Sequence, residues 1–416
     1  MFKNLTKTER AWVLYDVGNS AFTMLACSLI PIWFKELAIG TAPGQITGDK
    51  ATAYYSISVA VVTVVVAILG PICGAIADRK DMKKIFFTTA VSLGVIGCIL
   101  NGFATTWMMF LVIYVLSKIF YSASLTFYDS MLNDVTTEER MDQVSSYGYA
   151  WGYIGSCIPF TIALLAYVFS GGLGDNLKIM PSNVGKIIGF GVTAVWWFLV
   201  TMPLIKNYKQ INYVENTKGS IKKVFAQIGN TLKRIATKDR KVLYFLIAFF
   251  LYIDGVGTII DNCINIGTDL GLPTVGQVIF LLATQIVAWG GSLVFARLSK
   301  KYDTATLIMV CIAGYFAVCV YALTLKTLLH FGILAFGVGC FQGSIQSLSR
   351  SYFSKIIPAE NSGEYFGDSP YTKIRRFWPS SSSASTLRTN SSSVSVVRIC
   401  SWLDARKPQY LQLLMQ

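Results

Sequence analysis

Four polar residues stand inside otherwise apolar runs: Asp16, Asn19, Lys118 and Asp254. An ionisable group at the centre of a bilayer costs roughly 2.5–3.5 kcal/mol on insertion scales, so each is a site candidate by default. At 1.5 Å per residue, Asp254 lies about 18 Å along a helix starting at residue 242, near its middle. Lys118 lies about 17 Å along one starting at Trp107, and Asp16 about 8 Å in from Arg10. Asn19 follows Asp16 at i+3 and shares its helix face. A carboxylate so placed can take up and release a coupling proton. A lysine can balance it, or hold the carboxylate of a passing ligand. Gln285, Gln342 and Gln346 are weaker lining candidates, and Asp261 is expected at the outer interface. The competing reading is an interhelical ion pair or polar packing contact with no further role.

These residues need helices to hold them. The chain has 416 residues, 53% hydrophobic and only 14% charged, too apolar for a water-exposed surface. A bilayer admits helices or closed barrels, and the runs show no barrel-like alternation. Ten spans are expected: 11–34, 53–77, 85–104, 107–128, 145–168, 187–205, 242–262, 275–296, 305–325 and 331–349. With the N-terminus inside, 23 Lys and Arg fall in inner segments, Arg350 and Lys355 among them, and 5 in outer loops. The net charge of +14 therefore reports a basic cytoplasmic side, not nucleic-acid binding. Residues 1–10 are too polar for a signal peptide.

Two halves are expected: a six-helix bundle over 1–205, a basic linker over 206–241, and an incomplete four-helix bundle over 242–367. Ile221, Val224, Phe225, Ile228, Leu232 and Ile235 recur at helical spacing, predicting a linker helix along the inner leaflet, in contact with membrane lipid. Leu14-Tyr15-Asp16-Val17-Gly18 is echoed by Leu251-Tyr252-Ile253-Asp254-Gly255, as in transporters built from parallel repeats.

Gly70-Pro71-Ile72-Cys73-Gly74-Ala75-Ile76-Ala77-Asp78-Arg79-Lys80, with Lys83-Lys84, resembles the inner-loop signature of the major facilitator superfamily. The segment from Arg10 to Phe22 (RAWVLYDVGNSAF), that from Gly339 to Arg350 (GCFQGSIQSLSR), and Glu364-Tyr365-Phe366-Gly367 resemble its vacuolar-effluxer-like branch. The resemblance covers 1–367 and implies twelve helices, alternating access, and amino acids or similar metabolites as cargo. It also implies that Gly74, Asp78 and Arg79 form a conformational gating loop fixing the inner ends of helices two and eleven. Positive-inside anchoring alone accounts for Lys80, Lys83 and Lys84.

After Gly367 the family pattern stops. Residues 368–416 carry the serine clusters 380–383 and 391–393 and no spanning run. A frameshift that replaces helices eleven and twelve with a disordered tail is expected, and Asp78 would then have lost its partner. Thr136-Thr137 before Glu138-Glu139 reads as the cap of a short helix between spans four and five. Gly148, Gly152, Gly155, Gly339 and Gly343 permit close helix contact.

The expected fold class is all-α: a polytopic membrane protein of major-facilitator-type two-bundle architecture, truncated to about ten transmembrane helices. The expected function is secondary transport of a small organic solute, coupled to protons, in the inner or plasma membrane. The alternatives are an inactive remnant, a non-transporting receptor or scaffold, and a membrane-embedded lipid transferase. No G-x-x-x-x-G-K-[ST] loop, metal cluster or catalytic constellation occurs, and His330 stands alone, so neither cofactor nor enzymatic activity is expected. Oligomeric state stays open.

Overall fold

The computed structural model describes residues 5–172, 174–215, 221–269 and 274–368. Its helices are α1 (Lys7–Cys27), α2 (Leu29–Ala38), α3 (Gly48–Ala77), α4 (Met82–Gly102), α5 (Trp107–Ser130), α6 (Leu132–Val135) and α7 (Met141–Tyr167). There follow α8 (Ser182–Asn207), α9 (Ile221–Thr237), α10 (Arg240–Asp269), α11 (Thr274–Leu298), α12 (Thr304–Ala322), α13 (Leu328–Ile356) and α14 (Ser362–Asp368). Among the described residues eight helices are long and apolar enough to cross a membrane, or nine if the bent pair α1–α2 is one span.

Local chemistry sets several boundaries. Thr6 and Glu9 form a capping box at the start of α1, each side chain bonded to the other residue's backbone N–H. Thr106, Asp303 and Thr327 cap α5, α12 and α13. The single helix expected over 11–34 is instead α1 and α2, bent by 40° at Ser28. Pro31 is the cause: it has no N–H to give the Cys27 carbonyl, four residues back, and its ring crowds that oxygen.

Two hydrophobic cores form. One is drawn from residues between Leu5 and Tyr208, with Trp12, Trp33 and Trp197 fully buried, and the other from residues between Ile235 and Phe366. The linker helix expected from its apolar spacing is α9, which packs beside α3 and α10. Ile235 joins the second core, whereas Phe225 and Leu232 stay exposed. We call the end of the bundle that carries residue 5, α6, α9 and α14 the linker end.

Where a short helix begun by Thr136-Thr137 is expected, the chain makes only a 3-10 turn at Glu138–Arg140, and the short helix α6 lies before the threonines. The threonines do not act as caps. Thr137 makes no side-chain cap bond to that turn, and the Thr136 hydroxyl donates instead to Glu9 Oε1 at 2.7 Å.

Candidate functional site

Helical spacing on α1 puts Trp12, Asp16 and Asn19 on one face, because residues three and four apart lie one above the other. α5 brings Tyr128 and Asp129 to the linker end, and α7 brings Asp142, Ser145 and Tyr149. α13, from the second half, supplies Ser347, Arg350, Ser351 and Lys355. The two halves meet through these side chains.

Arg350 is the centre of the junction. It is 1% exposed, and its guanidinium donates from Nη2 to Asp16 Oδ2 and from Nη1 to Asp129 Oδ1, both at 3.1 Å. It also donates to Ser145 Oγ at 3.0 Å and to the Ser145 carbonyl at 3.1 Å. Its carbon Cζ lies 4.5 Å from the ring centroids of Trp12 and Tyr149 and 5.3 Å from that of Tyr128. Planar charge, two carboxylates and three ring faces make a well-compensated buried cation.

Two further clusters flank it. Asp142 Oδ2 accepts from Lys355 Nζ and Thr304 Oγ1, both at 2.7 Å, and Oδ1 accepts from Ser351 Oγ at 2.6 Å. On the other side, Asp78 caps α14: its two carboxylate oxygens accept the backbone N–H groups of Gly363 and Glu364, each at 2.8 Å. An anion is favoured there because the first amides of a helix lack intrahelical partners. Lys83 Nζ lies 3.4 Å from Asp78 Oδ1 and 3.7 Å from Asp134 Oδ2, and donates to Ser362 Oγ at 2.9 Å. Burial pushes the Asp78 carboxyl up to about 6, against the opposing pull of Lys83 and the two amides.

Three expectations change here. Asp78 keeps a partner, since α14 lies within the described residues and receives it. Lys83 is fully buried in an ion-pair network and is no plain surface anchor. Arg350 and Lys355, counted as loop charges, sit on α13 and bind the other half, because the helix runs on to Ile356.

The remaining candidates separate. Asn19 is buried and donates to Asp16 Oδ1 at 3.2 Å and to the Tyr15 carbonyl at 3.1 Å. Lys118 does not share the Arg350 cluster's aromatic faces: its Nζ stands 4.8 Å from the Tyr121 ring centroid and 5.6 Å from that of Phe22. Gln285, Gln342 and Gln346 are buried on the adjacent helices α11 and α13. Arg79 is half-buried, and the amide of Val214 bonds to the carbonyl of the neighbouring Asp78 at 2.8 Å. Asp254 and Asp261 fall in α10, but their side chains lie outside the described residues, as do residues 369–416.

The glycines let backbones approach. A methyl group on Gly148 would lie 2.4 Å from Asp16 Oδ2, and one on Gly155 2.4 Å from Val17 Cγ1. On Gly343 it would meet Ser292 Oγ at 2.0 Å and Tyr153 of the first half at 2.7 Å. Chemically, the whole arrangement is a set of buried ion pairs and hydrogen bonds joining two bundles at one end.

Residues 5–368 match the family described as vacuole effluxer Atg22 like. The chain is 39% identical over 370 residues to an uncharacterized MFS-type transporter, YxiO, of Bacillus subtilis, covering 88% of this chain and 85% of that one. It is 24% identical over 262 residues to autophagy-related protein 22 of Botryotinia fuckeliana, and 21% over 250 residues to autophagy-related protein 22-1 of Neosartorya fischeri. The chain spans only 41% and 40% of those fungal relatives. Among solved structures it resembles the MFS transporter FucP in its outward conformation, with TM-score 0.60, 12% identity, and coverage of 92% of this chain and 99% of that one. It also resembles the proton:xylose symporter XylE, with TM-score 0.62, 10% identity, and coverage of 92% and 87%.

Proposed function

The chain belongs to the vacuole effluxer Atg22 like family of MFS-type transporters, and on that premise we propose that it moves a small organic solute by alternating access. The observation that carries this reading is Arg350 of α13, buried against Asp16 and Asp129 of the first half. A polar lock between two bundles is suited to breaking and reforming, since its groups can be rehydrated when the bundles part. A hydrophobic interface would hold them shut.

We read the linker end as closed and cytoplasmic, with the protein in the cell membrane and α9 beside the inner leaflet. The positive-inside bias supports this orientation. The solute would bind between the halves above Arg350, where Asn19, Lys118, Gln285, Gln342 and Gln346 supply polar groups. Amino acids are the proposed cargo, export the proposed direction, and a proton gradient the proposed drive, with Asp16 and Asp254 as coupling carboxylates. Two bundles, 1–205 and 242–367, joined by the linker 206–241, would rock against each other.

The test is flux of labelled amino acids in proteoliposomes, with and without an imposed pH gradient. Gradient-dependent movement that Asp254→Asn abolishes is expected. Flux equal to that of protein-free vesicles would refute transport of this cargo, and unchanged proton-coupled flux in Asp254→Asn would refute that residue's coupling role.

A further inference from the structure

The pocket around Arg350 is built from one half and filled from the other. Trp12 and Asp16 come from α1, Tyr128 and Asp129 from α5, and Ser145 and Tyr149 from α7. Its occupant, the Arg350 guanidinium, comes from α13. We propose that this pocket is a binding site for organic cations, plugged by Arg350 while the linker end is shut, and that opening exchanges Arg350 for an ammonium or guanidinium group of the solute. The proposal rests on the alternating-access reading above and gives its solute a chemical class.

Three observations carry it. The first is chemical: two carboxylates and three ring faces around one buried position recognise a cation, and the structure holds a guanidinium there at hydrogen-bonding distance. The second is the division between halves. When α13 withdraws, the groups that face the guanidinium (Trp12, Asp16, Tyr128, Asp129, Ser145 and Tyr149) all stay on the first half, so the receptor stays whole. Water can take the place of Arg350 on opening, but a cation that reproduces its charge and hydrogen bonds holds the two carboxylates better. The third is room. Gly148 forms the wall beside Asp16, and a methyl group there would lie 2.4 Å from Asp16 Oδ2 and 3.1 Å from Arg350 Nη2. The wall is cut back where a cation and its carboxylate must fit.

With the linker end cytoplasmic and the direction export, the exchange lets a solute hold open its own way in. A neutral solute gains nothing from the pocket, whereas a cationic one binds only the state from which Arg350 has left. A ligand shifts an equilibrium by its differential affinity for the two states.

The test uses the full chain in detergent, with methylguanidinium as probe and methylurea as its neutral counterpart. In Arg350→Ala, methylguanidinium at about 10 mM should raise the melting temperature by roughly 3–6 °C, several times the shift seen with Arg350 in place. Methylurea should do nothing, and Asp129→Asn added to Arg350→Ala should remove the shift. A folded Arg350→Ala protein with no shift, or a shift that survives Asp129→Asn, would overturn the proposal.

A second measurement avoids emptying the pocket. Ser354 is buried on α13, where its carbonyl accepts from Asn133 of the first half. In Ser354→Cys, alkylation at that position by a water-soluble maleimide, read by mass spectrometry, reports opening. Methylguanidinium should speed it about threefold or more over methylurea. Equal rates would overturn the exchange. Neither readout needs flux: cation binding without solute movement would sink the transporter reading alone.

Discussion

A methyl group on Gly74 would lie 2.1 Å from the carbonyl oxygen of Gly363, so α3 and α14 meet backbone to backbone. The contact repeats one turn along, where a methyl group on Gly367 would lie 2.4 Å from the Gly70 carbonyl oxygen. Small residues four apart on each helix thus bring the two halves together where Asp78 caps α14. Gly74→Ala must push α14 away and lengthen the Asp78 bonds. We expect a cost of about 1–3 kcal/mol, seen as a lower melting temperature. Ser362 is buried beneath this contact, so Ser362→Cys should react faster with maleimide in the Gly74→Ala background. Unchanged stability and labelling would show that the crossing can relax.

Asp129→Ala leaves the Arg350 guanidinium with half its anionic partners. Removing one side of a buried ion pair costs about 3–5 kcal/mol, and the loss should appear in thermal or denaturant unfolding. Asp129→Ala combined with Arg350→Ala should cost much less than the sum of the two, because neither group is then stranded. Additive losses would mean that the two side chains are energetically independent.

Closure should depend on pH through Asp78. Its carboxyl is pushed up to about 6 by burial, from an ordinary 3.8. The closed linker end therefore binds a proton more readily than an opened one in which Asp78 meets water. Closure gains stability as pH falls from 7 through 6, has the full gain below 3.8, and loses it as pH rises through 6. The gain approaches about 3 kcal/mol at most. The difference in melting temperature between the native chain and Asp78→Asn, followed from pH 7 to 4, measures it. A difference that stays flat would contradict the linkage.

Gly148→Ala adds a methyl group against Asp16 and Arg350. The carboxylate must swing away, so the Arg350–Asp16 bond lengthens while the Arg350–Asp129 bond remains. We expect a loss of about 1–3 kcal/mol that disappears when Asp16→Ala is also present. A loss of the same size without the Asp16 carboxylate would place the strain elsewhere.

Much of the fold was legible in the residues. Spans of apolar residues set the helices, and the spacing from Ile221 to Ile235 set α9. The break at Ser28 was present as Pro31, whose effect on the carbonyl four residues back is local and general. The site was harder to read. Asp16 and Asn19 stood out because they interrupt an apolar run, and they do share a helix face. Arg350 was hidden by its own charge: the expected span 331–349 ends at the residue before it, where the uncharged run stops. The helix stop is Pro358, not the first charge, and reading to it would have put Arg350 and Lys355 on α13. Nothing in a single sequence says that Arg350 meets Asp129, 221 positions away, since that pairing is made by the packing of two bundles.

The bend at Ser28 divides the first rod of the molecule into two levers. The longer one, Lys7–Cys27, is tied to α13 at its middle through Asp16, whereas the shorter one, Leu29–Ala38, lacks the Pro31 bond back to it. Leu29, Ile30, Trp33 and Phe34 sink the short lever into the first core, so a change of angle at the bend requires repacking there before it reaches the tied segment.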